Sequence, residues 1–283
     1  MKIGFIDHHL NNYHADTFLR ILTKELEQKA TVVAAYESNP VGDDWCAKNG
    51  VARVQSAAEV VAASDAVIVL APDNVEAHLT LGRVALESGK PCFVDKNLSS
   101  SLEDARKIVE IAAAHKTPLM SSSSLRFSVE LEELMGRIGN APIETIFSRG
   151  FGRWHGYGVH TIAPALRLIG GNVSRLCDTG TAGASVVTIE DAAGRRALIE
   201  VREADNQQEA SPWQIGALAA GRYETATITK FAEFYKNLMA QVTAFFATGK
   251  SPISVEEQLA TVAIETAADE SRAAGGKWVD IRL

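Results

Sequence analysis

The strongest constraint on the fold is an alternation that begins at residue 2 and continues to about residue 120. Short apolar runs are separated by stretches with helical spacing. Lys2–Ile6 (KIGFI), Thr31–Tyr36 (TVVAAY), Ala66–Leu70 (AVIVL), Cys92–Val94 and Pro118–Ser121 each read as a strand. Between them, Thr17–Lys29 places Phe18, Leu19, Ile21, Leu22 and Leu26 on one helical face. Ser56–Ala63 reads as a helix capped by Ser56, Val75–Ser88 as a helix stopped at Gly89, and Leu102–His115 as a third. Strands that are apolar nearly throughout are covered on both faces, so this pattern predicts a doubly wound parallel sheet. In such a sheet the ligand site lies outside the carboxyl ends of the strands.

The second half follows a different rule. Val129–Ile138 is a helix, Pro142–Arg149 a strand and Gly158–Ile169 a helix. Four strands then follow: Ser185–Glu190, Arg196–Arg202, Trp213–Ala219 and Tyr223–Thr229, with hairpin chemistry at Asp191–Arg195. Two long helices (Phe231–Ala247, Val255–Ala274) and a short strand (Trp278–Leu283) close the chain. Neighbouring strands predict a second α/β domain on a mostly antiparallel open sheet. A length of 283 residues suits two domains, expected at 1–124 and 125–283, with the last helices returning to the first.

Composition narrows the partners. Lys and Arg total 28 against 35 acidic residues, a net charge of −7, and no long basic run offsets it. Nucleic acid is therefore not an expected partner. Cys46, Cys92 and Cys177 are too few and too far apart for a disulfide framework or a CxxC metal site, and reduced thiols are expected. No apolar run approaches the ~18 residues of a membrane span. The opening MKIGFIDHH enters a strand without a signal-peptide pattern, so the expected address is cytoplasmic.

The first βα turn reads Asp7-His8-His9-Leu10-Asn11-Asn12-Tyr13-His14 and contains no glycine. Dinucleotide-binding turns use G-x-G-x-x-G so that backbone can approach a pyrophosphate at a helix N-terminus. Asn11 and Asn12 are the residues best able to take a left-handed conformation in place of glycine. Asp7 opposes a pyrophosphate electrostatically, and His8 or His9 offsets that charge if protonated. Three readings of the cluster stand open: a polar cap or substrate contact, an altered nucleotide contact, and a divalent metal site using Asp7 and the histidines. Adjacent His8 and His9 point to opposite faces of a strand end, which disfavours a shared ion. Glu37, at the end of the second strand, is either a ribose acceptor that leans the chain toward NAD over NADP, or a loop acid.

A more specific signal runs from Val67 to Phe127. It contains Ala71-Pro72-Asp73-Asn74, His78, Gly89-Lys90, Asp95-Lys96-Asn97 and Leu125-Arg126-Phe127 in order. Near the carboxyl end come Ser251-Pro252-Ile253-Ser254-Val255-Glu256-Glu257 and Gly276-Lys277-Trp278-Val279. In order and spacing these resemble the glucose-fructose oxidoreductase and inositol dehydrogenase (Gfo/Idh/MocA) family. The resemblance implies a Rossmann domain, an open-sheet second domain, and NAD or NADP as hydride carrier for a sugar, polyol or related hydroxy compound. It implies a homodimer or homotetramer built through the C-terminal sheet. The expected cofactor contacts are Asp7, His8, His9, Asn11, Asn12 and Glu37, from the first turn and the second strand, with Ala71, Pro72, Asn74, His78 and Asp95. Lys96 matches the family lysine of E-K-P, and His160 matches the proton-accepting histidine of D-x-x-x-H, although Gly156 stands where that motif has its aspartate.

The chemistry is coherent on its own terms. Alcohol oxidation needs a base for the hydroxyl proton, and a histidine suits neutral pH. An ammonium nearby stabilises developing oxyanion charge. Lys96 and His160 are the expected catalytic pair, meeting in the cleft between domains. Lys96, Arg126, Trp154, His155 and Tyr157 are the expected substrate contacts, with Trp154 and Tyr157 offering stacking faces; the serines Ser121–Ser124 are either contacts or loop. His155 stands beside the missing aspartate as a possible substitute. The alternative reading keeps the fold without redox turnover: a metabolite-binding or regulatory protein, or a lyase or isomerase with a metal near the first turn. No metal is assigned among the expected site residues.

Overall fold

Residues 1–27, 30–204 and 212–283 are described in a computed structural model of the chain. They divide into two compact units, Met1–Ser122 with Tyr235–Ile253, and Ser123–Phe234 with Ser254–Leu283.

The first unit alternates strand and helix: β1 (Lys2–Asp7), α1 (Tyr13–Arg20), β2 (Thr31–Glu37), α2 (Trp45–Asn49), β3 (Ala52–Arg53), α3 (Ala57–Ala63), β4 (Ala66–Val69), α4 (His78–Leu86), β5 (Cys92–Val94), α5 (Leu102–Ala114) and β6 (Leu119–Met120). The strands form one sheet in the order β3-β2-β1-β4-β5-β6, and every neighbouring pair is parallel. Ile3, Phe5 and Ile6 of β1 and Val67, Ile68 and Val69 of β4 are fully buried, as a sheet covered on both faces requires. The strand order reverses between β1 and β4, which makes their carboxyl ends the crevice of the sheet.

Helix starts follow side-chain caps. Asn12, Asp44, Ser56 and Ser101 each accept a backbone N–H in the first turn of the helix that follows. The cap at Asn12 moves the first helix to Tyr13, upstream of the expected start at Thr17. After Arg20 the chain passes into a π-type turn, Ile21–Glu25, and the end of the expected helix at Gln28 and Lys29 lies outside the described residues. The short elements α2 and β3 carry too few residues to show a period.

The second unit contains α6 (Val129–Ile138), β7 (Ile143–Phe151), α7 (Trp154–Tyr157), α8 (Val159–Ile169), β8 (Val173–Asp178), β9 (Ala184–Asp191), β10 (Arg196–Arg202), β11 (Gln214–Ala219) and β12 (Arg222–Thr227), followed by α9 (Phe231–Thr248), α10 (Val255–Ala273) and β13 (Val279–Asp280). From Tyr235 onward α9 belongs to the first unit. The seven strands run β12-β11-β7-β10-β9-β8-β13, with β10 and β7 parallel and the other pairs antiparallel. Along β10, Ala197, Ile199 and Val201 are buried while Arg196, Leu198 and Arg202 are exposed. One face is thus packed, against α8 and α10, and the other is open. Trp278 and the last three residues fall outside β13, so the terminal strand is shorter than expected.

Among the described residues no helix is long and apolar enough to cross a membrane. All three cysteines are buried and unbridged.

Gly4 lets β1 and α3 approach closely: a Cβ there would collide with Val60 and lie 2.9 Å from Ser64 Oγ. Gly4→Ala is expected to destabilise the chain by about 1–3 kcal/mol. Urea unfolding monitored by far-UV circular dichroism measures this, and an unchanged midpoint contradicts the packing described.

Candidate active-site residues

The glycine-free turn after β1 is organised by a buried carboxylate. Asp7 Oδ1 accepts the backbone N–H groups of His8 (2.7 Å), His9 (3.3 Å) and Ala71 (2.9 Å), and Oδ2 accepts Asn12 Nδ2 (2.8 Å). Asn12 Nδ2 also donates to the His9 carbonyl, while its Oδ1 accepts the N–H of Ala15. Asn11 Nδ2 donates to the carbonyls of Val41 and Asp43. The two asparagines do not replace glycine by adopting a left-handed backbone: Asn12 has φ −140°, and neither is among the positive-φ residues. They close the turn through their amide groups instead. The left-handed residue is Ala71, φ 55°, across from the turn at the end of β4.

This arrangement resolves the charge conflict at the turn. Asp7 is fully buried with both oxygens committed to the turn's own donors, so it does not project toward a ligand phosphate at the start of α1. Burial pushes its pKa up to about 7, against the lowering effect of its hydrogen bonds. The Asp7 carboxylate therefore poses no charge conflict with a dinucleotide at this turn. His8 and His9 remain partly exposed beside the turn, their rings edge to face at 5.7 Å, with His8 Nδ1 3.0 Å from Ser38 Oγ. Among the described residues no three His, Cys, Asp or Glu side chains gather as a metal site would need.

Glu37 is placed differently from the ribose acceptor expected. Its side chain is sealed, with Oε2 accepting the Leu10 N–H at 2.7 Å and Oε1 paired to Arg53 Nη1 at 2.7 Å. Both oxygens are occupied, so Glu37 acts as a strut between β2, the first turn and β3. Arg53 was not foreseen because it lies in a two-residue strand with no pattern of its own. His78 is likewise structural. It is fully buried, with Nε2 2.6 Å from the Leu70 carbonyl and Nδ1 3.3 Å from that of Leu98. Burial lowers its pKa, and the ring sits between a carbonyl at the end of β4 and one in the segment after β5. Asn74 is partly exposed, its amide 3.4 Å from Glu76.

Asp95 and Lys96 follow β5. Lys96 is buried, its Nζ donates to the Pro72 carbonyl at 3.3 Å, and its N–H donates to Asp95 Oδ1 at 2.8 Å. Asp95 Oδ2 lies 2.5 Å from His14 Nδ1, and His14 Nε2 lies 3.4 Å from Tyr235 Oη. Burial works to raise the pKa of Asp95, but His14 and Lys96 outweigh it and hold the carboxylate low. His14 was read from the sequence as part of the turn cluster, but its contact with Tyr235 was announced by no motif, since the two are 221 residues apart. Ser121 Oγ donates to the Asp95 carbonyl at 3.3 Å.

In the second unit His160 occupies the first turn of α8. Its Nδ1 lies 2.8 Å from Ser123 Oγ, and its ring is flanked edge-on by Tyr157 at 5.4 Å and Trp213 at 6.0 Å. Tyr157 is exposed and available for contact. Trp154 is not: it is buried and donates Nε1–H to the Glu265 carbonyl at 3.1 Å, so it is a packing residue. Arg126 is buried on Glu257, with Nη1 at 3.0 Å from Oε1 and Nη2 at 3.2 Å from Oε2, which leaves it as an internal ion pair. His155 Nε2 lies 2.8 Å from Asp269 Oδ2, an exposed pair, and so does not stand in for an aspartate beside His160.

With this geometry in view, comparison with known proteins is informative. Residues 5–123 match the family model described as an oxidoreductase family with an NAD-binding Rossmann fold, the Gfo/Idh/MocA family. An inositol 2-dehydrogenase of Cereibacter sphaeroides is 34% identical over 116 residues, covering 40% of this chain and 33% of that protein. The matched segment thus spans about a third of that curated relative. Solved structures extend the likeness over the whole chain. GenD2 from gentamicin A biosynthesis, in complex with NAD, superposes with a TM-score of 0.84 at 14% identity, covering 100% of this chain and 97% of that one. The myo-inositol dehydrogenase of Lactobacillus casei, in complex with NAD(H) and myo-inositol, superposes with a TM-score of 0.80 at 15% identity and the same coverage. At such identities these structures establish the fold alone. The match to the Gfo/Idh/MocA family model is thus carried by residues 5–123.

Two outcomes test the turn. Asp7 has a folded pKa raised from 3.8 to about 7, so its stabilising contribution is full below pH 3.8 and is lost as pH rises through 7. Relative to Asp7→Asn, the native chain is expected to lose up to about 4 kcal/mol between pH 4 and pH 8. Denaturant unfolding of both proteins across that range measures it, and parallel curves refute it. Glu37→Gln is expected to lower stability by roughly 1–3 kcal/mol through the loss of the buried Arg53 pairing, while the NADH to NADPH affinity ratio changes less than about threefold.

Proposed function

We propose that the protein is an NAD-dependent oxidoreductase that transfers hydride between the nicotinamide and a CH–OH carbon of a polyol or sugar. The observation that carries this reading is the family match over residues 5–123, which contains the turn at Asp7 and the Asp95-Lys96 pair. The inositol dehydrogenases among its relatives support a polyol as the substrate class.

On this reading the bound dinucleotide supplies or accepts the hydride. His8, His9 and Asn11 border its phosphates and ribose. The segment Ala71-Pro72, with Asn74 and Asp95-Lys96, forms its other wall. Lys96 stabilises the negative charge that develops on the alcohol oxygen, and His160 accepts the hydroxyl proton. Tyr157 offers its exposed ring to the apolar face of the substrate. The open face of the second sheet serves as the interface of a homodimer or homotetramer. Leu198 is 43% exposed there, with register neighbours Phe147 and Thr188 also incompletely covered.

Titration with NADH, followed by energy transfer from tryptophan, is expected to show micromolar affinity. Absence of binding at millimolar cofactor rejects the proposal. With NAD and a panel of inositols and sugar acids, His160→Gln is expected to lower kcat by 10²–10⁴-fold while leaving NADH affinity within about twofold. Full activity in that variant removes His160 from the reaction.

A further inference from the structure

The motif D-x-x-x-H pairs the base with a carboxylate four residues upstream, and this chain has Gly156 there. Gly156 adopts φ 87°, a conformation that L side chains rarely take, so an aspartate at this position would be strained. His155, next to it, is engaged by Asp269. The loop before α8 thus carries no carboxylate at the motif position, which is Gly156.

We propose that Ser123 is the positioning residue for His160, accepting its Nδ1–H and leaving Nε2 as the basic nitrogen. The proposal rests on the reading of His160 as proton acceptor. Three features carry it. Ser123 Oγ and His160 Nδ1 are 2.8 Å apart, and both residues are buried, at 0% and 7% exposure. The serine is itself fixed: it caps the turn Ser124–Phe127 in an extended conformation (φ −70°, ψ 142°), with Oγ accepting the Leu125 N–H at 3.2 Å. A hydroxyl has two acceptor lone pairs, so one remains for the imidazole N–H after Leu125 takes the other. Finally, the edge-on rings of Tyr157 and Trp213, at interplanar angles of 72° and 67°, hold the imidazole plane so that only one ring nitrogen reaches the serine.

The consequence is chemical. A carboxylate partner both orients the imidazole and favours its protonated form, whereas a hydroxyl orients it without adding charge. Ser123 therefore selects the tautomer without itself adding charge. The run Ser121–Ser124, which in sequence looks like loop chemistry, contains one residue with a defined task.

Nitrogen-15 NMR of histidine-labelled full-length protein tests this without turnover, with the His160 signals assigned by their loss in His160→Gln. The native protein is expected to show a single Nδ1–H tautomer at pH 8, retained in Ser123→Thr and replaced by a mixture in Ser123→Ala. An Nε2–H tautomer in the native protein, or an unchanged spectrum in Ser123→Ala, overturns the proposal. Thermal unfolding of the variants shows whether the serine's capping role has been lost with it; if Ser123→Ala does not fold, the native tautomer and Ser123→Thr decide. Where NAD and myo-inositol support turnover, Ser123→Asp is expected to raise the acidic limb of the kcat/KM profile by about one pH unit. Ser123→Ala is expected to lower kcat about tenfold at unchanged KM for NAD, and unaltered profiles in both variants also overturn the proposal. A native protein without NADH binding rejects the oxidoreductase reading alone, and the tautomer result then stands by itself.

Discussion

The crevice of the first unit depends on one buried carboxylate. Asp7 sits at the end of β1 and collects two amides of its own turn, the Asn12 side chain and the amide of Ala71 at the end of β4. These are the two strands between which the strand order reverses, so a single side chain joins both rims of the crevice. A glycine-rich turn reaches the same closeness by removing side chains. Here closeness comes from hydrogen bonding, and the cost is a carboxyl whose ionisation is opposed by burial.

Around this anchor other polar groups are consumed internally. Glu37 is tied to Leu10 and Arg53, His78 lies between two carbonyls, and Asp95 is tied to His14 and Lys96. Buried polar groups without partners are expensive, so each carries its own acceptor or donor set. The second unit repeats the logic: Arg126 closes on Glu257 and His160 on Ser123. Residues that a motif presents as ligand contacts can therefore be supports for the few that stay accessible, such as His8, His9 and Tyr157.

Much of the fold was legible because it follows periodicity. The strands of the first sheet other than β3, the cap at Ser56, the helix Val129–Ile138 and the strand Arg196–Arg202 correspond closely to what their patterns imply. The parallel pairing of β10 with β7 in a mostly antiparallel sheet was not legible, since strand neighbours depend on connections rather than on composition. Among the candidate site residues, Lys96 and His160 were singled out by short motifs in order. The partners were not: Arg53, Ser123, Trp213 and Tyr235 are ordinary residues whose meaning is a distance. The turn asparagines were misjudged in conformation because a glycine-like role can be filled by side-chain amides as well as by a left-handed backbone.

By itself, then, the sequence determined the class of architecture and the family resemblance that residues 5–123 carry. Those properties reside in local order: apolar period, caps and the spacing of short motifs. Tertiary structure alone decided which polar residues are supports and which remain available. That distinction turns on whether a donor from another part of the chain arrives within about 3 Å, and only the folded packing brings such groups together.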